Sequence, residues 1–142
     1  MYNCGMLKFR KISSISNGGF GNLTPIEFPT EIPFEIKRIY YIYDVNGNEK
    51  RGNHSHKKLH QVLICVNGNV KVKLTNHFDE KEFILDDPSV GLYVGPDNWR
   101  EMYDFSEGAV LLVLASNEYD EEDYIRDYDE FIEHNRKKFG DK

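Results

Sequence analysis

Hydrophobic and polar positions alternate in short runs, broken by turn residues, through most of this chain, and the period changes only near the C-terminus. Runs at 7–12, 23–28, 36–44, 61–66, 70–75, 82–85, 91–94 and 110–116 are rich in β-branched, aromatic and other apolar residues and predict strands. The clearest alternation sets Val70, Val72 and Leu74 on one face and Lys71 and Lys73 on the other, which predicts solvent for the lysines. Asn67-Gly68-Asn69 predicts a hairpin, and Asn46-Gly47 another turn. The glycine-rich stretch 17–22 predicts a tight turn or bulge, because glycine tolerates backbone angles that other residues avoid. Pro29 and Pro33 interrupt the chain after the second run. Many short strands at regular spacing predict an all-β sandwich or small barrel. With no repeat or linker, residues 1–142 are expected to form one domain, with 1–6 as a frayed leader.

Beyond residue 119 the spacing becomes helical. Tyr124, Ile125, Tyr128, Phe131 and Ile132 would share one helix face. The acidic run 120–123 at one end and Arg136, Lys137 and Lys138 at the other complement the helix dipole. A helix over about 120–138 packed on the outside of the strands is the expectation.

Charge and cysteine usage narrow the function classes. The formal net charge of −6 gives no general attraction to nucleic acid or anionic membrane, although local basic residues can still line a pocket for a phosphorylated small molecule. Cys4 and Cys65 show no paired spacing, and Cys65 lies in an apolar run, so a reducing cytoplasm is the simplest compartment. No run of about 18 apolar residues is present to span a membrane.

The candidate chemistry lies in Arg51-Gly52-Asn53-His54-Ser55-His56. In a strand, residues two apart face the same way, so His54 and His56 project side by side. Two surface histidines near a turn is the plain alternative. The larger spacing argues for a site: His54, His56, Gln61 and Gly68 fall at the intervals of the first motif of the cupin barrels, and Gly91, Pro96 and Asn98 approximate the second. The expected fold is therefore a cupin-type, jelly-roll-like small β-barrel with a C-terminal α-helix. The metal-binding pattern is broken in two places. Gln61 stands where a ligating glutamate would be, and Glu101 where the third histidine would be. A two-histidine, one-carboxylate metal triad of the oxygenase type stays open. Proton transfer by free imidazoles without a metal or other cofactor is the preferred expectation.

The stretch 38–68 resembles the sugar-nucleotide 3,4-ketoisomerases, metal-independent cupins acting on dTDP-4-keto-6-deoxyglucose. It contains Tyr40-Tyr41-Ile42, Arg51-Gly52-x-His54-x-His56-Lys57-Lys58 and Gln61-Val62-Leu63-Ile64-Cys65. The likeness runs on through Gly91-Leu92-Tyr93-Val94-Gly95-Pro96, Trp99-x-Glu101-Met102 and Asp104-Phe105-Ser106. It continues in Val113-Leu114-Ala115-Ser116, Tyr119-Asp120, Asp123-Tyr124-Ile125-Arg126 and Tyr128.

The resemblance implies that a base removes the C3 proton, an enediol forms, and a proton reaches C4, leaving the carbonyl at C3. His54 and His56 would be the acid/base pair, with His56 favoured as principal base. Arg51 would meet the diphosphate, or be a solvated turn arginine. Gln61 would hold a histidine or a sugar hydroxyl. Tyr41 and Tyr43 share a face opposite Tyr40, and any of the three would donate to substrate or pack in the core. Trp99 would cover the sugar or base, or fill the core. Glu101 is expected in the pocket. Arg100, with Phe20 in the glycine-rich segment, resembles the determinants of which face of C4 is reprotonated, and points toward retention of the gluco configuration. The resemblance further implies a homodimer with the N-terminal strand available for exchange, and a role in 3-amino-sugar supply for surface glycans. A related 4-keto-sugar epimerase and a non-catalytic sugar-nucleotide-binding cupin are the competing readings.

Overall fold

The structure, a computed structural model, describes residues 3–12 and 21–141. Two antiparallel five-stranded sheets face each other, with strand order β1-β7-β4-β9-β2 in one and β10-β3-β8-β5-β6 in the other. The strands are β1 (Cys4–Lys8), β2 (Arg38–Ile42), β3 (Arg51–His56), β4 (Gln61–Asn67), β5 (Val70–Thr75), β6 (Glu80–Leu85), β7 (Val90–Val94), β8 (Trp99–Tyr103), β9 (Val110–Ala115) and β10 (Tyr124–Ile125). Helix α1 (Tyr128–Phe139) closes the chain.

The space between the sheets is filled by alternate residues. Val70, Val72 and Leu74 of β5 meet Leu63 and Cys65 of β4, Leu92 and Val94 of β7 and Leu111 and Val113 of β9. Strand β4 is apolar at consecutive positions because both of its faces are covered. Val62 and Ile64 point away from the interior and are buried beneath Phe9, Ile32 and Phe34, with Leu114 beside them. A third, smaller cluster lies outside the second sheet, where Phe131 of α1 packs on Trp99 and Ile125.

Several expected boundaries move. The first strand begins at Cys4, inside the stretch expected to be a leader, because five residues find partners along β7, from Cys4 opposite Val94 to Lys8 opposite Val90. Of the run 23–28, only Leu23 pairs, in an isolated bridge to Ile12. Strand β8 was hidden by its mixed composition, Trp-Arg-Glu-Met-Tyr. The largest difference is at the C-terminus. The acidic run forms a short 3₁₀ turn, Glu121–Asp123, and Tyr124 and Ile125 form β10 against His56 and Ser55. The helix starts only at Tyr128, with the Asp127 carboxylate accepting from the Glu130 amide at 3.0 Å. Residues 17–20 of the glycine-rich turn, Phe20 among them, and residues 1–2 of the expected leader lie outside the described residues.

Phe131 is fully buried and joins α1 to the outer face of β8. Phe131→Ala is expected to lower unfolding stability by about 3–5 kcal/mol, as large-to-small changes at packed aromatics do. Urea unfolding curves of the two proteins measure it.

Candidate active site

The site begins with an irregularity in β3. Pairing with β8 shifts register between Gly52 and His54. Gly52 has φ 91° and Asn53 φ 54°, both left-handed. A Cβ at Gly52 would stand 2.8 Å from the Arg100 carbonyl oxygen, so only glycine fits there. The bulge re-aims the strand and turns His54 and His56 toward the interior. Their rings meet edge to face, with centroids 4.9 Å apart. Tyr124 covers both, 5.0 Å from His54 and 4.3 Å from His56.

Hydrogen bonds fix the tautomer of each ring. His54 Nδ1 lies 3.0 Å from the Gly52 carbonyl oxygen. A carbonyl only accepts, so Nδ1 carries the proton and Nε2 the lone pair. His56 Nδ1 lies 3.0 Å from Asp123 Oδ2 and donates in the same way. Its Nε2 is buried without a protein partner. Burial is the main force holding both rings neutral, and the Arg100 guanidinium adds to it. The pKa of His54 falls to about 3, and that of His56 is also pushed far down.

Arg100 is itself fully buried on the floor of the barrel. One guanidinium nitrogen donates to Gln61 Oε1 and another to the Asn98 carbonyl oxygen at 3.2 Å. Burial draws its pKa down to about 10, which leaves it protonated near neutral pH. Gln61 Nε2 donates in turn to the Tyr40 hydroxyl at 3.0 Å. Burial raises the Tyr40 pKa, so its own O–H stays available as a donor.

Two cavities open on this group. The larger, about 530 Å³, is bordered by His54, Tyr40, Arg38, Arg51 and Arg126, with Tyr41 at its rim. The smaller, about 320 Å³, reaches His56 and Asp123 beside Lys37 and Lys58. Arg38, Tyr119 and Tyr124 line both. The basic residues suit an anionic ligand such as a diphosphate.

His54, His56, Gln61 and Arg100 are thus gathered in the interior, with Arg51 and Tyr41 at the mouth. Gln61 binds Arg100 and Tyr40 rather than a histidine. Tyr41 is 60% exposed and stacks on Tyr43, while its neighbour Tyr40 faces inward. Glu101 is not in the pocket: it points to the outer face of β8, 3.1 Å from Lys73 and 3.6 Å from Lys50. Trp99 shares that face and packs on Tyr128 at 5.2 Å. Alternation along β8 decides both, since Arg100 and Met102 take the inward positions.

The residues do not fit a cupin metal centre. Gln61 is engaged by a guanidinium, Glu101 faces away, and a divalent cation would sit beside the buried charge of Arg100. Among the described residues, no three His, Cys, Asp or Glu side chains converge as ligands would. Arg38, Tyr119, Asp123, Tyr124 and Arg126 line these cavities and were missed by the candidate set. Asp123 was concealed by its place in an acidic run that imitates a helix start.

A jelly-roll-like antiparallel sandwich holding two neutral histidines near a buried arginine, beside cationic cavities, defines a cupin-like protein. Residues 2–136 match the family described as FdtA, WxcM-like, C-terminal, and the chain belongs to that family. The chain is 57% identical, over 78% of its length and 80% of the relative's, to the TDP-4-oxo-6-deoxy-α-D-glucose-3,4-oxoisomerase of Aneurinibacillus thermoaerophilus. A variant of the 3,4-ketoisomerase QdtA from Thermoanaerobacterium thermosaccharolyticum, with asparagine replacing one histidine and TDP-4-keto-6-deoxyglucose bound, superimposes with a TM-score of 0.92 at 55% identity, covering 99% of both chains. The WlaRB TDP-quinovose 3,4-ketoisomerase of Campylobacter jejuni gives 0.86 at 47% identity, covering 94% of this chain and 99% of that one.

The neutral histidines tie stability to pH. Free imidazole in the unfolded chain protonates near 6.5, whereas His54 in the folded chain does so only near 3. The unfolded chain therefore binds more protons below pH 6.5, and stability falls as the pH drops from 6.5 toward 3. His54→Asn is expected to reduce that acid slope by up to about 1.4 kcal/mol per pH unit. Urea unfolding midpoints at several pH values between those limits measure the difference.

Proposed function

We propose that this protein is an isomerase, a dTDP-sugar 3,4-ketoisomerase that moves the carbonyl of dTDP-4-keto-6-deoxy-D-glucose from C4 to C3. The observation that carries the reading is the pair of neutral imidazoles, His54 beside a cavity rich in arginine and His56 beside the adjoining one, where Lys37, Arg38 and Lys58 stand. Three relatives named as 3,4-ketoisomerases or oxoisomerases, at 47–57% identity, support it.

The reaction follows from the tautomers. The C4 carbonyl acidifies the C3 hydrogen. An imidazole Nε2 takes that proton, the C–H electron pair becomes the C3–C4 double bond, and O4 takes up the charge. The protonated imidazole then delivers a proton to C4. The C3 hydroxyl loses its proton as the C3 carbonyl forms, so the sugar gains and loses no atoms. The buried positive charge of Arg100 favours the anionic enediolate, in an interior where that field is poorly screened. The Tyr40 hydroxyl is a donor for a sugar oxygen.

His54 borders the larger cavity and is the better candidate for contact with C3. This reverses the preference for His56, whose ring is 1% exposed and held by Asp123. His56 then serves as the second proton carrier, moving the hydroxyl proton between O3 and O4. Arg38 and Arg51 meet the diphosphate. Arg100 and the TDP-quinovose relative support a gluco product, dTDP-3-keto-6-deoxy-D-glucose, made for a 3-amino-sugar route to surface glycans. A cytoplasmic homodimer of one-domain chains, with β1 available for exchange, completes the proposal. Among the described residues no helix is long and apolar enough to cross a membrane.

NMR of the product from dTDP-4-keto-6-deoxyglucose tests the reading. A carbonyl at C3 is expected. A carbonyl retained at C4 with an inverted neighbour would mean an epimerase, and binding without conversion would mean a sugar-nucleotide binder. His54→Asn is expected to lower kcat by about 100-fold or more, the usual reach of a general base. KM should change little; steady-state rates on the same substrate measure both.

A further inference from the structure

The turn between β7 and β8 holds a buried carboxylate that the reaction above does not use. Asp97 is 4% exposed and left-handed, with φ 67°. Both of its oxygens are taken by helix α1. His134 Nε2–H donates to Oδ1 at 2.9 Å, and Lys138 Nζ donates to Oδ2 at 2.7 Å. Asn135 Nδ2 donates to the Asp97 carbonyl oxygen at 3.2 Å. These three residues present one side of the helix. On its other side the Asp97 backbone N–H donates to the His56 carbonyl oxygen at 2.8 Å.

Asp97 therefore joins the helix to the residue whose ring meets Asp123. Asp123 stands only five positions before the helix, and the strand between them, β10, is two residues long. So short a strand cannot hold its own place; it needs the helix docked. Phe131 anchors the first half of the helix on Trp99 and Ile125. Asp97 anchors the second half. Asp123 closes the ring of contacts by accepting from the Lys57 amide through its carbonyl at 3.0 Å and from the Lys58 amide through Oδ1 at 2.8 Å.

We propose that Asp97 is a positioning residue: by clamping α1 to the carbonyl of His56, it keeps Asp123 aligned with His56 Nδ1. The inference rests on the ketoisomerase reading for its effect on rate, but not for its effect on structure. A misplacement of even about 1 Å at a catalytic group costs up to a hundredfold in rate.

Two variants test it. Asp97→Asn keeps the shape and tolerates the left-handed backbone but loses the carboxylate. Lys138→Met acts from the exposed end of the same contact and leaves the turn untouched. In both, kcat is expected to fall by about 10-fold with KM within about 2-fold, a partial loss of alignment rather than of binding. Amide hydrogen exchange at Lys57 and Lys58 should quicken ahead of the rest of the protein. Lys137→Met, one position around the helix, should match the unchanged protein in both readouts. Unchanged kcat in both variants, or exchange that quickens uniformly with a lowered Tm, would overturn the proposal. Should the unchanged protein convert no substrate, the functional reading fails, and the exchange at Lys57 and Lys58 alone decides what Asp97 holds.

Discussion

The site depends on keeping two imidazoles uncharged although one of them is held by a carboxylate, with the buried Arg100 cation weighing against protonation of both. Burial removes the hydration that an imidazolium would need, and Arg100 makes protonation still less favourable. A histidine held this way keeps an unprotonated lone pair to present to a ligand, at the cost of a weaker affinity for the proton. The Gly52 carbonyl and the Asp123 carboxylate keep that lone pair on Nε2, since each accepts a hydrogen bond from an Nδ1–H.

The scaffold supplies them from distant parts of the chain. Gly52 and Asn53 adopt left-handed angles in a bulge, which turns His54 inward and sets its Nδ1 beside the Gly52 carbonyl. Asp123 arrives from the C-terminal segment, 67 residues beyond His56. Arg100 is an expensive group to bury without a carboxylate against it. Its hydrogen bonds to Gln61 and to the Asn98 carbonyl offset part of that cost and tie β8 to β4, and Gln61 carries the chain on to Tyr40 of β2. A rigid positive floor of this kind suits an anionic intermediate better than a resident metal ion.

Much of this was legible in the sequence, for identifiable reasons. The 70–75 alternation became β5 because its period was unambiguous, but the Asn67-Gly68-Asn69 turn makes no hairpin: it carries the chain from one sheet to the other, and β5 pairs with β6 and β8 instead of β4. The interval from His54 to Gly68 marked the two histidines and Gln61 because a strand's period of two is enough to bring His54 and His56 together. Motif spacing says which residues are near a site but not which face of β8 they take, so it left Trp99 open between substrate and core and put Glu101 in the pocket, whereas both lie on the outer face. Asp123 and Tyr124 were hidden for a different reason. An acidic run followed by apolar residues reads as the start of a helix, and only the pairing of Tyr124 with His56 reveals a two-residue strand. Asp97 carries no local signal at all, since its partners His134 and Lys138 come together with it only in the folded chain.

The central claim concerns where two protons sit, and nitrogen-15 NMR of the histidine side chains in the folded protein at neutral pH observes them directly. The account predicts that His54 and His56 are both neutral, protonated at Nδ1 and bare at Nε2. An imidazolium at either residue, or a proton resting on either Nε2, would contradict it.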